Sequence, residues 1–113
     1  MARRTDLGLG TIHIQNDVIG SIAALAAQEV PGVVGVWLGP WWKRFLGGGA
    51  GVRVESQDQE IRLVLPLVVE YGVSLPEVAA EVQERVRERV EQMTRLTPVE
   101  VQVSIQEVKP KRG

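Results

Sequence analysis

The stretch Glu60-Ile61-Arg62-Leu63-Val64-Leu65-Pro66-Leu67-Val68-Val69-Glu70-Tyr71 alternates strictly. Ile61, Leu63, Leu65, Leu67 and Val69 fall on one side. Arg62, Val64, Pro66, Val68 and Glu70 fall on the other. A period of two marks a strand with one buried face. The second face is half apolar, and Pro66 has no N–H to give to a ladder, which predicts an edge strand or a bulge there.

Working outward, the neighbouring segments repeat the pattern. Gly51–Ser56 sets Val52 and Val54 inward against Arg53 and Glu55, and Asp58-Gln59 turns the chain into the long strand. Thr11–Gln15 sets Ile12 and Ile14 against Thr11, His13 and Gln15, and Val33–Leu38 reads as a further strand. Val99–Val108 alternates too, with Val99, Val101, Val103 and Ile105 inward and Glu100, Gln102, Ser104 and Gln106 outward.

Two helices separate these strands. Asn16 is a plausible N-cap with Asp17 beside the positive helix end. Val18, Ile19, Ile22, Ala23, Leu25 and Ala26 then share an arc that Pro31-Gly32 closes. Gly20, Ser21, Ala24, Ala27 and Gln28, on the back of this helix, carry no charge, as a covered face would. Gly20, Ala24 and Ala27 are therefore candidates for self-association.

The second helix opens on Ser74-Leu75-Pro76-Glu77, a capping box with Ser74 as N-cap, Glu77 at N3, and Val73 and Val78 at the staple positions. The cap bond is worth ~1 kcal/mol. Val78, Ala79, Val82, Val86, Val90 and Met93 form its apolar stripe and Pro98 stops it, after about 30 Å at 1.5 Å per residue. Tyr71 is expected to pack near the start of this helix. The order β-α-β-β-β-α-β, with polar outer faces on the strands, predicts an α+β two-layer sandwich: a mixed sheet with two helices on one face.

Composition agrees and excludes several chemistries. The chain has 113 residues, one domain's worth, so residues 1–113 are read as one unit with flexible ends at 1–9 and 109–113. Valine is abundant, with 19 residues, and only five residues are aromatic, which favours sheet. Thirteen Lys+Arg against fourteen Asp+Glu leave a charge of −1, without the basic field on which nucleic-acid binding rests. There is no Cys and one His, so disulfides, thiolate chemistry and multi-histidine metal centres are excluded, and no cofactor is expected. Residues 1–10 lack an apolar signal core, and no apolar run approaches the ~20 residues of a membrane span. The expectation is a cytoplasmic protein.

At this point the residues resemble a family, the alkaline-shock and general-stress proteins of Gram-positive bacteria, known as envelope stress response proteins. The likeness starts at Gly10-Thr11-Ile12-His13-Ile14, continues through Val18-Ile19 and Ile22-Ala23, and reaches Val30-Pro31-Gly32-Val33. It resumes at Gly51-Val52, Val69-Glu70-Tyr71-Gly72 and Glu81-Val82-Gln83, and finishes at Met93-Thr94 with Val99-Glu100-Val101-Gln102-Val103. The resemblance implies a non-enzymatic protein of the envelope stress response. It implies recruitment to the inner face of the membrane through a membrane-anchored partner, and self-association into a homo-oligomer. It offers no catalytic residues. The chain departs from the family at Arg95, where Gly is common, and in the linker around Trp41.

That linker is the most informative stretch. Gly39-Pro40 can open a helical turn. At 100° per residue Trp41, Trp42, Phe45 and Leu46 share an arc, with Lys43 and Arg44 opposite. An apolar face with tryptophan and a basic back suits a knob that docks on a partner or at a membrane interface. The alternative is a lid folded on the sheet's half-apolar face. A turn and a half is too short to hold a bilayer alone, which favours a protein partner over lipid. The triglycine Gly47-Gly48-Gly49 lacks the strand, helix and Lys-Ser/Thr of a phosphate loop and reads as a connection.

Glu77, Glu81, Glu84, Glu88 and Glu91 fall within roughly 80° on the second helix. They read as a solvated ridge laced by Glu81–Arg85, Arg87–Glu91 and Glu91–Arg95, each worth a few tenths of a kcal/mol. A docking face for a basic partner, or a weak divalent-cation patch, is the competing reading. His13 and Asp17 have no nucleophile or oxyanion donor beside them, so direct catalysis has no constellation behind it. Two other functions compete: a single-stranded nucleic-acid module, for which the outward strand positions lack aromatics, and a regulatory partner of a lipid-metabolism enzyme.

Overall fold

The structure is a computed structural model that describes residues 2–6, 11–39, 51–58 and 60–110. Eight elements follow one another: β1 (Ala2–Asp6), β2 (Thr11–Gln15), α1 (Asn16–Gln28), β3 (Val33–Val36), β4 (Arg53–Gln57), β5 (Glu60–Glu70), α2 (Leu75–Thr94) and β6 (Glu100–Lys109). The α+β sandwich and the element order expected from the sequence are found, with one strand more at the front. Ala2–Asp6, expected to belong to a flexible end, pairs antiparallel with β2 from Ala2↔Gln15 to Asp6↔Thr11. This hairpin forms a two-stranded sheet of its own, separate from the four-stranded one.

The main sheet is mixed and is built around β5. On one side β4 pairs antiparallel with its first half, Arg53↔Val64 to Gln57↔Glu60, and β3 with its second half, Val36↔Leu67 to Val33↔Val69. On the other side β6 runs parallel along almost its whole length. Of the edge position or bulge expected at Pro66, the edge position is corrected, while a register shift against β6 does stand close by, between Leu67 and Val68; Pro66 shows how a central strand accommodates a proline. The Pro66 carbonyl accepts a bond from the Trp37 N–H at 2.7 Å, but the ring returns no donor to that side. There the flanking chain changes from β4 to β3.

Both helices cover the face that carries Ile61, Leu63, Leu65, Leu67 and Val69, each fully buried or nearly so. Each such side chain taken from water is worth about 1.5–3 kcal/mol. From α2, Val78, Val82, Val86 and Val90 close over them, and from α1 Ile19, Ile22, Ala23, Ala26 and Ala27. Three residues expected to point inward do not: Val18 is 49% exposed, Leu25 66% and Met93 67%. Tyr71, expected near the helix start, is 76% exposed. Val99, placed inward by the alternation, precedes β6 and is half exposed.

The helix ends differ in detail from the sequence pattern. Ser74 is the N-cap of α2, with extended backbone, but its side chain makes no cap bond. Pro76 removes one of the two N–H groups that a cap oxygen serves, and Ser74 lies exposed to water. For α1 the cap position is Gln15, and Asn16 is already helical, its Oδ1 buried without a partner among the described residues. The far end of α2 is closed by Arg95 in the left-handed region (φ 61°, ψ 14°), its N–H on the Glu91 carbonyl at 2.8 Å. Thr94 Oγ1 donates to the Val90 carbonyl at 2.6 Å and accepts from the Leu96 N–H at 3.1 Å.

Candidate functional site

The face of the sheet away from the helices carries the even residues of β5: Arg62, Val64, Pro66, Val68 and Glu70. Around them lie Arg53 and Glu55 of β4, Gln102 and Ser104 of β6, and Trp37 just beyond β3. The indole was not among the outward positions expected from the sequence. The bulge between Val33 and Gly35 shifts the register by one, so simple alternation from Val33 assigns the wrong residues to the outer face.

Trp37, Val64 and Pro66 line a depression of about 370 Å³ together with Arg53, Gln102, Ser104 and Gln106. Gly39 and Gly51 stand on its rim. The chain therefore leaves and re-enters the described structure beside an indole and a proline ring. The candidate docking residues Trp41, Trp42, Lys43, Arg44, Phe45 and Leu46 lie between those two glycines, outside the described residues. Gly51 has φ +82°, and a β-carbon on it would come 2.5 Å from the Trp37 carbonyl oxygen. That oxygen is on the side where Pro66 offers no N–H, and only glycine can approach it so closely.

Of the charged side chains on this sheet, Arg53 lines the depression, while Arg62, Glu55 and Glu60 line another. Arg62 lies 3.7 Å from Glu60 and 3.9 Å from Glu100, Arg53 3.8 Å from Glu55, and Lys109 3.9 Å from Glu107. These pairs are about half exposed and contribute little to stability. The mixture of signs and the single described indole make the face a poor platform for stacking bases. Among the described residues no group of three or more His, Asp or Glu is arranged to hold a metal ion. His13 is exposed on β2.

The helix layer corrects a second expectation. Gly20, Ala24 and Ala27, put forward for self-association, are buried within the monomer. A β-carbon on Gly20 would meet Val54 Cγ2 at 3.6 Å, and Ala27 has no exposed surface. Of the uncharged back of α1, Gly20, Ala24 and Ala27 are thus covered within the monomer, while Ser21 and Gln28 stay exposed. On the other flank of α1, Glu29 accepts from Arg85 Nη1 at 3.0 Å and Arg89 Nη2 at 2.9 Å on the same oxygen, Oε1. The Arg89 and Arg85 hydrogen bonds hold the Glu29 carboxyl below its ordinary range. Arg85 thus turns to α1 and not to Glu81, as the helix spacing had suggested.

A family model for the alkaline shock protein 23 family, of cell envelope-related function, matches residues 4–110. The chain belongs to this family. The chain is similar to YqhY of Bacillus subtilis (strain 168), described as uncharacterized, which is 39% identical over 105 residues, covering 88% of this chain and 78% of that protein. A stress response regulator gls24 homolog of Streptococcus pyogenes serotype M3 is 28% identical over 108 residues, 90% of this chain and 60% of that protein. The family is thus tied to the envelope and to the stress response, as the ordered motifs implied. Solved structures share the fold at low identity. MamM CTD superposes with a TM-score of 0.54 at 22% identity over 82% of this chain and 99% of its own. A copper form of a MamM CTD variant gives 0.53 at 20% identity over 87% and 100%. Among the described residues of this family member, no helix is long and apolar enough to cross a membrane.

Proposed function

We propose that this chain is a non-enzymatic adaptor of the cell-envelope stress response. It is cytoplasmic, held at the inner face of the membrane by a membrane-anchored protein, and self-associating. The observation that carries the reading is the family match over residues 4–110, with its envelope-related function. The place of the linker supports it. Trp41, Trp42, Lys43, Arg44, Phe45 and Leu46 lie in the sequence between Gly39 and Gly51, two glycines on the rim of an open sheet face. Rigid elements that present a variable loop are a common way to build a recognition surface.

Capture of the tagged chain from detergent-solubilised membranes is the test. The expected recovery contains a membrane-anchored protein and further copies of the chain. Replacing Trp41 and Trp42 together by alanine lowers the recovery while the melting temperature stays unchanged. Recovery of the monomer alone from membranes overturns the reading.

A further inference from the structure

Among the described residues β6 pairs with β5 alone, so the other edge of this ten-residue strand is open. An unpaired row of N–H and C=O groups is a template for one more strand. Successive residues of a strand turn these groups to opposite sides, and two bonds fix which residues face outward. Gln83 Nε2 of α2 donates to the Val101 carbonyl at 3.0 Å, so Val101, Val103 and Ile105 face the open edge. The Lys109 carbonyl accepts from the Tyr71 N–H at 2.7 Å. Beyond the register shift, where Gln106 is the extra residue, Val108 is therefore the one that faces outward. The side chains of all four lie on the helix side of the sheet, opposite Leu63, Leu65, Leu67 and Val69. Val101 is buried, Val103 and Ile105 are only partly so, and Val108 is 44% exposed. The apolar layer runs out unfinished at this edge.

We propose that a second copy of the chain pairs here, β6 antiparallel to β6 about a two-fold axis at Ser104. The proposal rests on the reading that the chain self-associates, and it names the surface. In this register the strand is complementary to itself. Ser104 meets Ser104 and Val103 meets Ile105. With Gln106 left out of the count on both strands, Val101 meets Val108 and Glu100 meets Lys109. Apolar side chains meet on the helix side and opposite charges on the outer side, the pairing that stabilises neighbouring strands. Glu100 and Lys109 are about half exposed, and each has only a 3.9 Å pair within the monomer, to Arg62 and to Glu107. A slip that centres the pair on Val103 would set Glu100 against Glu107, and like charges directly opposite are destabilising. Because Gln83 already serves the Val101 carbonyl, the bonds exchanged between Val103 and Ile105 form the centre of the ladder. Such an interface uses the same patch on both copies and closes. Its axis stands perpendicular to the sheet, so the depressions beside Trp37 open on one common face of the pair.

The chain has no cysteine, so a single introduced thiol can cross-link only to another molecule. Opposite residues outside the hydrogen-bonded pairs have β-carbons about 4.5–5.5 Å apart, close to the span of a disulfide. Ser104→Cys is therefore expected to give a disulfide-linked dimer under mild oxidation, while Glu55→Cys on β4 stays unlinked. In Lys109→Glu two like-charged pairs replace two opposite ones, and sedimentation equilibrium is expected to show a dimer about tenfold weaker. Adding Glu100→Lys to it is expected to restore the dimer, with melting unchanged throughout. Equal linking of the two thiols, or a dimer of full strength in Lys109→Glu, overturns the proposal. So does linkage of Ser104→Cys to a different protein in place of a second copy in an oxidised membrane extract. The unmodified chain separates the two levels. If it sediments as a monomer at every concentration, the self-association reading itself falls. If it associates but neither Ser104→Cys nor Lys109→Glu behaves as stated, only the assignment to β6 falls.

Discussion

The Trp37 carbonyl oxygen and the α-carbon of Gly51 are packed so closely that a β-carbon on Gly51 would stand 2.5 Å from that oxygen. The contact joins the point where the chain leaves the sheet edge to the point where it returns.

Gly51→Ala therefore forces the two strand ends apart and places alanine at φ +82°. The expected cost is about 1–3 kcal/mol, read as a lowered midpoint in urea. An unchanged midpoint would mean that the return of the chain at Gly51 is free to shift.

Arg95 adopts φ 61° at the end of α2, where a glycine costs nothing. Arg95→Gly is expected to stabilise the protein by about 1 kcal/mol, or about 4 °C in melting temperature. A drop in melting temperature would show that the arginine side chain holds the helix end through a contact stronger than its backbone penalty.

Gly20 packs at ordinary van der Waals distance from Val54, so a methyl group fits. Gly20→Ala is expected to gain about 0.5–1 kcal/mol from helix propensity and to leave the sedimentation coefficient unchanged. An altered oligomeric state would return this side of α1 to the list of contact surfaces.

Glu29 has its carboxyl pKa held low by Arg89 and Arg85. A lowered folded-state pKa stabilises the protein above the unfolded value and loses that contribution as pH falls through the folded one. Glu29→Gln should therefore melt below the unmodified chain at neutral pH, and the gap should close below the ordinary glutamate range of about 4.3. A gap that persists unchanged into strong acid would assign the effect to packing.

The sequence is most informative where one period governs a whole element. Ile61 to Val69 and Val78 to Val90 face the core as their spacing predicts. It misleads where a local irregularity resets the count. The bulge near Val34 moved Trp37 to the outer face unnoticed, and a second shift at Leu67/Val68 breaks the alternation of β6. Pro66 excluded a continuous ladder on one side but could not show that two strands share that side. On α1, small residues are ambiguous in a sequence. Gly20, Ala24 and Ala27 suit a contact between molecules as well as one between a helix and its own sheet, and only tertiary packing chooses. The redirection of Arg85 and Arg89 to Glu29 depends on residues 56 and 60 positions apart, beyond any local rule. The docking proposal for Trp41 to Leu46 comes from side-chain chemistry alone, and the structure describes only the chain on either side, at Gly39 and Gly51.

Pro66 makes the insertion at that attachment inexpensive. Because one rung of the ladder is missing there, β3 and β4 are already separate pieces, each holding the central strand by its own bonds. The connection between them can be lengthened, shortened or rewritten without unzipping either. A change of sequence between Gly39 and Gly51 is therefore expected to leave the pairing of β3 and of β4 with β5 in place.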